Sequence, residues 1–256
     1  LRAGLVASAG QIDRRTYINK DGLESFMFAH DDLQARNLTL FAEDLIRLTS
    51  KLNFVVDAHL VYNERNSSDR FPQPDLRPWY SHMSKKYRYF RSQSTTLNQH
   101  WAAFNPRIGL IYSPFKGEDV QLFGNLSRSY EPPTFDELVG TEVTTNINTS
   151  PKRLYAIALD KQTATTLELG SKGRTTRFSW NVAAYRSWVH NEILEVKDYV
   201  RGIKRTENYP TTLHQGVEVG LNAVVADNPW GINAGKLTLG GVYDFSDFRF
   251  SGGKYQ

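Results

Sequence analysis

Apolar and polar residues alternate with a period of two through most of this chain, the pattern of a strand with one greasy and one wet side. In Leu52–Tyr62 one side carries Leu52, Phe54, Val56, Ala58, Leu60 and Tyr62, and the other carries Asn53, Asp57, His59 and Val61. Phe104, Pro106, Ile108, Leu110 and Tyr112 oppose Asn105, Arg107 and Gly109 in the same way. The split returns where Val217, Val219, Leu221, Ala223 and Val225 oppose Glu218, Gly220 and Asn222, and where Leu237, Leu239, Gly241, Tyr243 and Phe245 oppose Thr238, Asp244 and Ser246. These runs predict nine strands, at 1–17, 34–48, 52–65, 99–113, 120–130, 161–171, 177–200, 203–225 and 236–250. Short turns are expected at Thr49–Lys51, Pro114–Asp119, Ser171–Thr176 and Ala226–Gly235, and long loops at 18–33, 66–98 and 131–160. The run Glu192–Glu207 breaks the alternation of lengths, because it reads as strands continuing into a hairpin at Arg201-Gly202.

Short turns alternating with long loops are the mark of an antiparallel up-and-down transmembrane β-barrel. A soluble β-sandwich binding module also alternates its faces. Two features favour the barrel. Trp101, Tyr112, Tyr130, Trp180 and Trp188 fall near strand ends, where amphipathic rings prefer a membrane interface. Asp57, Arg107, Glu168 and Glu218 lie on the non-lipid side, which suits a hydrated bore better than a packed interior. Bacterial single-chain barrels close with an even number of strands, so an odd count predicts a partial barrel. Nine strands alone would leave two open edges.

Composition then narrows the chemistry. Cys is absent from the 256 residues, which removes disulfides and Cys-ligated metal or redox sites. A formal charge of +4 would suit nucleic acid, but the basic residues are spread over loops and strand ends without a recognition-helix pattern, so no nucleic-acid partner is expected. No apolar run is long enough for a transmembrane helix, which says nothing against a barrel. A nucleophile elbow, a His-Glu-x-x-His pair and a Walker loop are all missing, and His30, His59, His82, His100, His190 and His214 show no metal-ligand spacing. Glu131, Asp136 and Glu137 read as a solvated acidic loop rather than a glycosidase pair. The chain is expected to be no enzyme and to need no cofactor.

Four segments carry a family resemblance. Phe104-Asn-Pro-Arg-Ile-Gly-Leu-Ile-Tyr112, Asn125-Leu-Ser-Arg-Ser-Tyr-Glu-Pro-Pro-Thr-Phe-Asp-Glu-Leu138, Thr166-Leu-Glu-Leu-Gly-Ser-Lys-Gly173 and His214-Gln-Gly-Val-Glu-Val-Gly220 occur in this order. Together they resemble strands and a strand-to-loop passage of TonB-dependent outer-membrane receptors, whose barrels have 22 strands. The resemblance implies that residues 1–256 are a fragment of such a barrel, with no plug domain, TonB box or terminal aromatic strand. It implies a parent receptor in the bacterial outer membrane that imports a ferric siderophore or similar iron chelate, energised through TonB by the missing N-terminal part. Outer-membrane lipid and lipopolysaccharide are further expected partners, and a passive porin-like channel is the alternative.

Within that frame, Pro132-Pro133 should end a strand. Gly170 and Gly173 should take positive φ in a hairpin. Gly216 and Gly220 should serve either strand curvature or close approach of a partner in the bore. The loop Asn66–Asn98 mixes Arg70, Arg77, Lys85, Lys86, Arg88 and Arg91 with Trp79, Tyr80, His82, Tyr87, Tyr89 and Phe90. Guanidinium forks beside aromatic faces suit an anionic chelate. Arg70, Arg77, Trp79, Tyr80 and Arg88 are therefore the candidate ligand residues, with Arg128 and Tyr130 at the top of their strand as additions.

Overall fold

The computed structural model describes residues 1–81, 84–115, 119–143, 152–198, 203–227 and 235–252. It is an all-β, antiparallel, up-and-down wall of nine long strands: β1 (Arg2–Lys20), β2 (Leu23–Arg47), β3 (Leu52–Asp69), β6 (Leu97–Tyr112), β7 (Asp119–Glu131), β10 (Gln162–Arg174), β11 (Phe178–Asp198), β12 (Ile203–Asp227) and β13 (Lys236–Phe250). Each long strand pairs with the next in that order. Two small hairpins occupy the long connections: β4 (Leu76–Ser81) with β5 (Lys86–Arg91), and β8 (Val139–Val143) with β9 (Lys152–Ala156). Among the described residues β1 pairs only with β2 and β13 only with β12, so both edges are open.

Register makes the alternation collective. Leu40, Leu60 and Phe104 are cross-strand partners, as are Leu126 and Leu167, and Val217 and Phe245. All of these side chains are exposed. They form one continuous apolar face with nothing packed on it, which is the arrangement a bilayer requires and a sandwich forbids. The opposite face carries Glu43, Asp57 and Arg107 on one cross-strand row. Asn125 and Glu168 share another row and are bonded to each other at 2.8 Å.

One expected loop is strand. Residues 18–33 continue β1 and β2 and turn at Asp21-Gly22, where φ is 52° and 89° and Lys20 pairs with Leu23. A two-residue Asp-Gly loop with positive φ at both positions twists the way the flanking strands do. The turn expected at Ser171–Thr176 sits slightly later, between Arg174 and Phe178. Gly170 and Gly173 are not among the positive-φ residues of the described chain. Their role is space: a Cβ on Gly170 would strike the Phe123 ring and lie 2.6 Å from Val182 O, and one on Gly173 would strike the Trp180 ring. β7 ends at Glu131, immediately before Pro132-Pro133, as their missing N–H groups demand. Arg201-Gly202 lies outside the described residues, although Asp198 and Ile203 beside it are paired.

Gly216 and Gly220 differ. A Cβ on Gly220 would have only Asn181 O nearby, at 3.8 Å, whereas one on Gly216 would strike Phe245 O and come within 2.8 Å of Tyr185 Oη. Gly216 therefore admits the Tyr185 ring across the strand pair. Gly216→Ala is expected to cost about 1–3 kcal/mol through overpacking. The measurement is the temperature at which the intact receptor loses its heat-resistant electrophoretic mobility, and an unshifted transition would show that both the Tyr185 ring and the β13 backbone at Phe245 yield at little cost.

Candidate functional site

The loop end of the wall carries the candidate chemistry, and the β4–β5 hairpin is fastened there by a buried charge network. Arg77 is 0% exposed and pairs with Asp69, whose side chain is 1% exposed. Arg77 Nη1 also donates to Phe28 O at 2.9 Å, and its guanidinium stands 4.9 Å from the Phe71 ring centre. Asp69 accepts from the N–H groups of Phe71 (3.1 Å) and Thr95 (3.0 Å). Thr95 Oγ1 donates to Asp31 Oδ1 at 2.5 Å, and Arg14 bridges Asp31 (3.1 Å) and Asp136 (2.9 Å). Asp31, Asp69 and Arg14 come from three adjacent strands, because Arg14 pairs with Asp31 and Asp31 with Asp69 in the ladder. An aromatic seat completes the fastening: Tyr87 lies 4.8 Å from Phe26 and 5.0 Å from Tyr80, with its hydroxyl 2.5 Å from Ser25 Oγ. On the opposite face of the same strands, His30 Nε2 donates to Asp13 at 3.0 Å, and Arg15 lies 2.9 Å from the same carboxylate.

The candidate residues thus separate into two sets. Arg77 and Tyr80 are enclosed in the seat, so their chemistry holds the hairpin rather than facing outward. Trp79 is half-buried opposite Arg88, which is exposed. Arg70 is exposed and lies 3.6 Å from Asp32. Lys86, Tyr89 and Arg91 are exposed along β5, Tyr89 by 67%. Lys86, Arg88 and Arg91 have no ion-pair partner among the described residues. His82 lies outside the described residues. Arg128 is exposed on the apolar face, far from the hairpin in the strand order. Tyr130 is half-buried and donates its hydroxyl to Asn63.

Trp101 departs from the interfacial belt expected for it. It is 8% exposed, packs with Leu138 and Leu159, and donates Nε1 to Leu159 O at 3.1 Å. On the strand alternation it pairs with Asn63 on the polar face, so it anchors the 131–161 connection instead of meeting lipid. The two connections are also tied to each other, since Gln93 N and Ser92 Oγ both donate to Leu154 O at 2.9 Å. Further down the polar face a concavity of about 320 Å³ is lined by Arg107, Gln121, Asn125, Glu168, Lys172 and Glu218. Its mixed charge suits a hydrated interior surface. No cluster of three or more His, Cys, Asp or Glu with metal-holding geometry occurs among the described residues.

These features coincide with a known architecture. The profile of the "TonB dependent receptor-like, beta-barrel" family matches residues 7–256. No curated protein sequence matches the chain. Among solved structures, the copper transporter OprC is similar with a TM-score of 0.61 at 12% identity, over 97% of this chain and 35% of that one. The ferric-catecholate import receptor Fiu of E. coli K12 gives 0.58 at 14% identity, over 98% and 35% respectively. The siderophore receptor PirA of Pseudomonas aeruginosa gives 0.53 at 13% identity, over 86% and 44%. At such identities the likeness is one of fold, and the chain spans less than half the length of these structures. With its unpartnered apolar face, polar inner face and long connections, the chain belongs to the TonB-dependent receptor-like β-barrel family and forms part of such a barrel.

Proposed function

We propose that this chain forms part of the wall and outer mouth of a bacterial outer-membrane importer that takes up a ferric siderophore or a similar metal chelate, with energy relayed through TonB by another part of the receptor. The observation that carries the reading is the exposure of β5 on both faces. Lys86 and Arg88 project to one side and Tyr89 and Arg91 to the other, the three cations have no ion-pair partner among the described residues, and Arg77 with Asp69 fixes the hairpin that bears them. A multiply anionic chelate matches such a surface, because guanidinium forks bind its oxygens in pairs and the phenol ring offers a flat face. Holding the cations on a seated hairpin also lowers the ordering cost of binding. Trp79 and Arg70 flank this surface, whereas Arg77 and Tyr80 act beneath it.

In an intact receptor containing this segment, the triple substitution Lys86→Ala, Arg88→Ala, Arg91→Ala is expected to weaken chelate binding by at least about tenfold, or roughly 1.4 kcal/mol. Quenching of intrinsic fluorescence by ferric chelates of increasing negative charge measures it. Equal affinity in both proteins would remove β5 from the site. Uptake that persists in cells lacking TonB would instead overturn the energised-importer reading in favour of passive diffusion.

A further inference from the structure

Between β6 and β7 the ladder ends early. These strands are paired from Tyr112↔Leu122 only as far as Arg107↔Ser127, although β6 stays paired with β3 up to Leu97 and β7 with β10 up to Glu131. Pro106, which has no N–H to donate, is the first residue beyond the last rung. Side chains bridge the split instead. Lys161 Nζ donates to Ala102 O and lies 5.8 Å from the Tyr130 ring centre.

Beside this split the apolar face changes character. On β7 the outward alternation Leu122, Gly124, Leu126 passes to Arg128, and on β11 the outward Val182, Ala184 passes to Arg186. Both arginines are exposed. Arg186 stands 5.4 Å from the Trp188 ring centre, and Trp188 shares a cross-strand row with Thr165 and Arg128. No Asp or Glu occupies this face of β7, β10 or of β11 as far as His190. Elsewhere on the same face cations are matched: Arg36 lies 3.6 Å from Glu64, and Arg249 Nε donates to Asp247 at 2.9 Å. Arg128 and Arg186 have no ion-pair partner among the described residues.

We infer that this patch binds the phosphorylated headgroup of a glycolipid in the outer leaflet. The inference rests on the outer-membrane reading above but not on the identity of the imported ligand. Two unmatched guanidinium groups directly above an apolar wall are costly beside acyl chains unless an anion meets them, and a phosphate presented at the headgroup level does so by charge-assisted hydrogen bonds. Neighbouring strands are about 4.8 Å apart, so Arg128 and Arg186, two strands apart, span roughly 10 Å across the wall, the breadth of a phosphorylated disaccharide rather than of one phosphate. Trp188 supplies an exposed ring face beside them, and acyl chains would lie along Leu126, Leu167 and Ala184.

The test uses the full-length receptor in detergent micelles, with retained lipid counted by native mass spectrometry after addition of diphosphoryl lipid A or its dephosphorylated form. The wild-type protein is expected to retain the diphosphoryl form at least about tenfold better, and Arg128→Gln with Arg186→Gln to abolish that preference. Arg36→Gln, on the same face but ion-paired, should leave it unchanged. Equal retention of the two lipids, an undiminished preference in the double variant, or an equal loss in Arg36→Gln would overturn the inference. Should the double variant fail to fold, the wild-type preference must still fall with added salt, and salt-independent retention would sink the proposal. Chelate titration of the same samples is a separate readout, so a failed lipid site leaves the importer reading standing.

Discussion

Arg77→Ala is expected to unseat the β4–β5 hairpin while leaving the barrel wall intact, at a local cost of about 3–5 kcal/mol, the usual penalty for removing one partner of a buried ion pair. The substitution strands Asp69, whose carboxylate would keep the N–H groups of Phe71 (3.1 Å) and Thr95 (3.0 Å) but lose its only cation among the described residues. It also removes the donor to Phe28 O. Arg77→Lys should fall between, since an ammonium restores charge without the fork that reaches both acceptors. Limited proteolysis of the intact receptor measures the effect. New cleavage between 70 and 96, with the heat-resistant band retained, is the expected result. Unchanged protection would show that the aromatic contacts of Tyr80 and Tyr87 hold the hairpin by themselves. Because Arg77 does not face outward, weaker chelate binding in this variant would report loss of the seat, whereas the β5 triple variant keeps the seat.

Trp101→Ala is the second large effect, about 3–5 kcal/mol by the range for deleting a buried aromatic ring. The ring fills the space between Leu138 and Leu159, with Leu97, Tyr130, Ile157 and Ile193 around it. Its indole N–H satisfies Leu159 O. Trp101→Phe keeps most of the packing and strands the carbonyl, so about 1–3 kcal/mol is expected there. Hydrogen exchange reads the loss at Leu138 and Ile157, whose N–H groups are bonded to Thr134 O and Leu138 O at 3.1 and 2.8 Å. Faster exchange at these amides with undisturbed protection in β3 is expected. A uniform change across both would mean that the ring supports the wall rather than the connection.

The wall was legible in the sequence because its physics is local. Alternation at period two states which side chains meet lipid, and every long strand from Leu52 to Phe250 lies close to the span that alternation predicts. Where two driving forces coincide, reading becomes harder. Residues 18–33 are too polar for a membrane wall and so read as a loop, yet Asp21-Gly22 is the strongest short hairpin signal and marks strands rising beyond the bilayer. The site was legible only as composition. Cations and rings in 66–98 identify a candidate surface, but which of them face outward depends on Asp69, the partner of Arg77, and on Asp31, which the pairing of β2 with β3 sets beside Asp69. Nothing in the spacing of Arg77 and Arg88 distinguishes the buried one from the exposed one. Trp101 fits either a belt or an anchor until the 131–161 connection folds over it.

The bond pair from Ser92 and Gln93 to Leu154 has a mechanical consequence. Leu154 belongs to β9, β9 is zipped to β8, and β8 joins the summit of β12 through Thr141↔Lys204 and Glu142↔Ile203. A displacement of β5 is thereby shared with β12, a strand that is not its neighbour in the wall, so the two connections respond as one piece instead of separately.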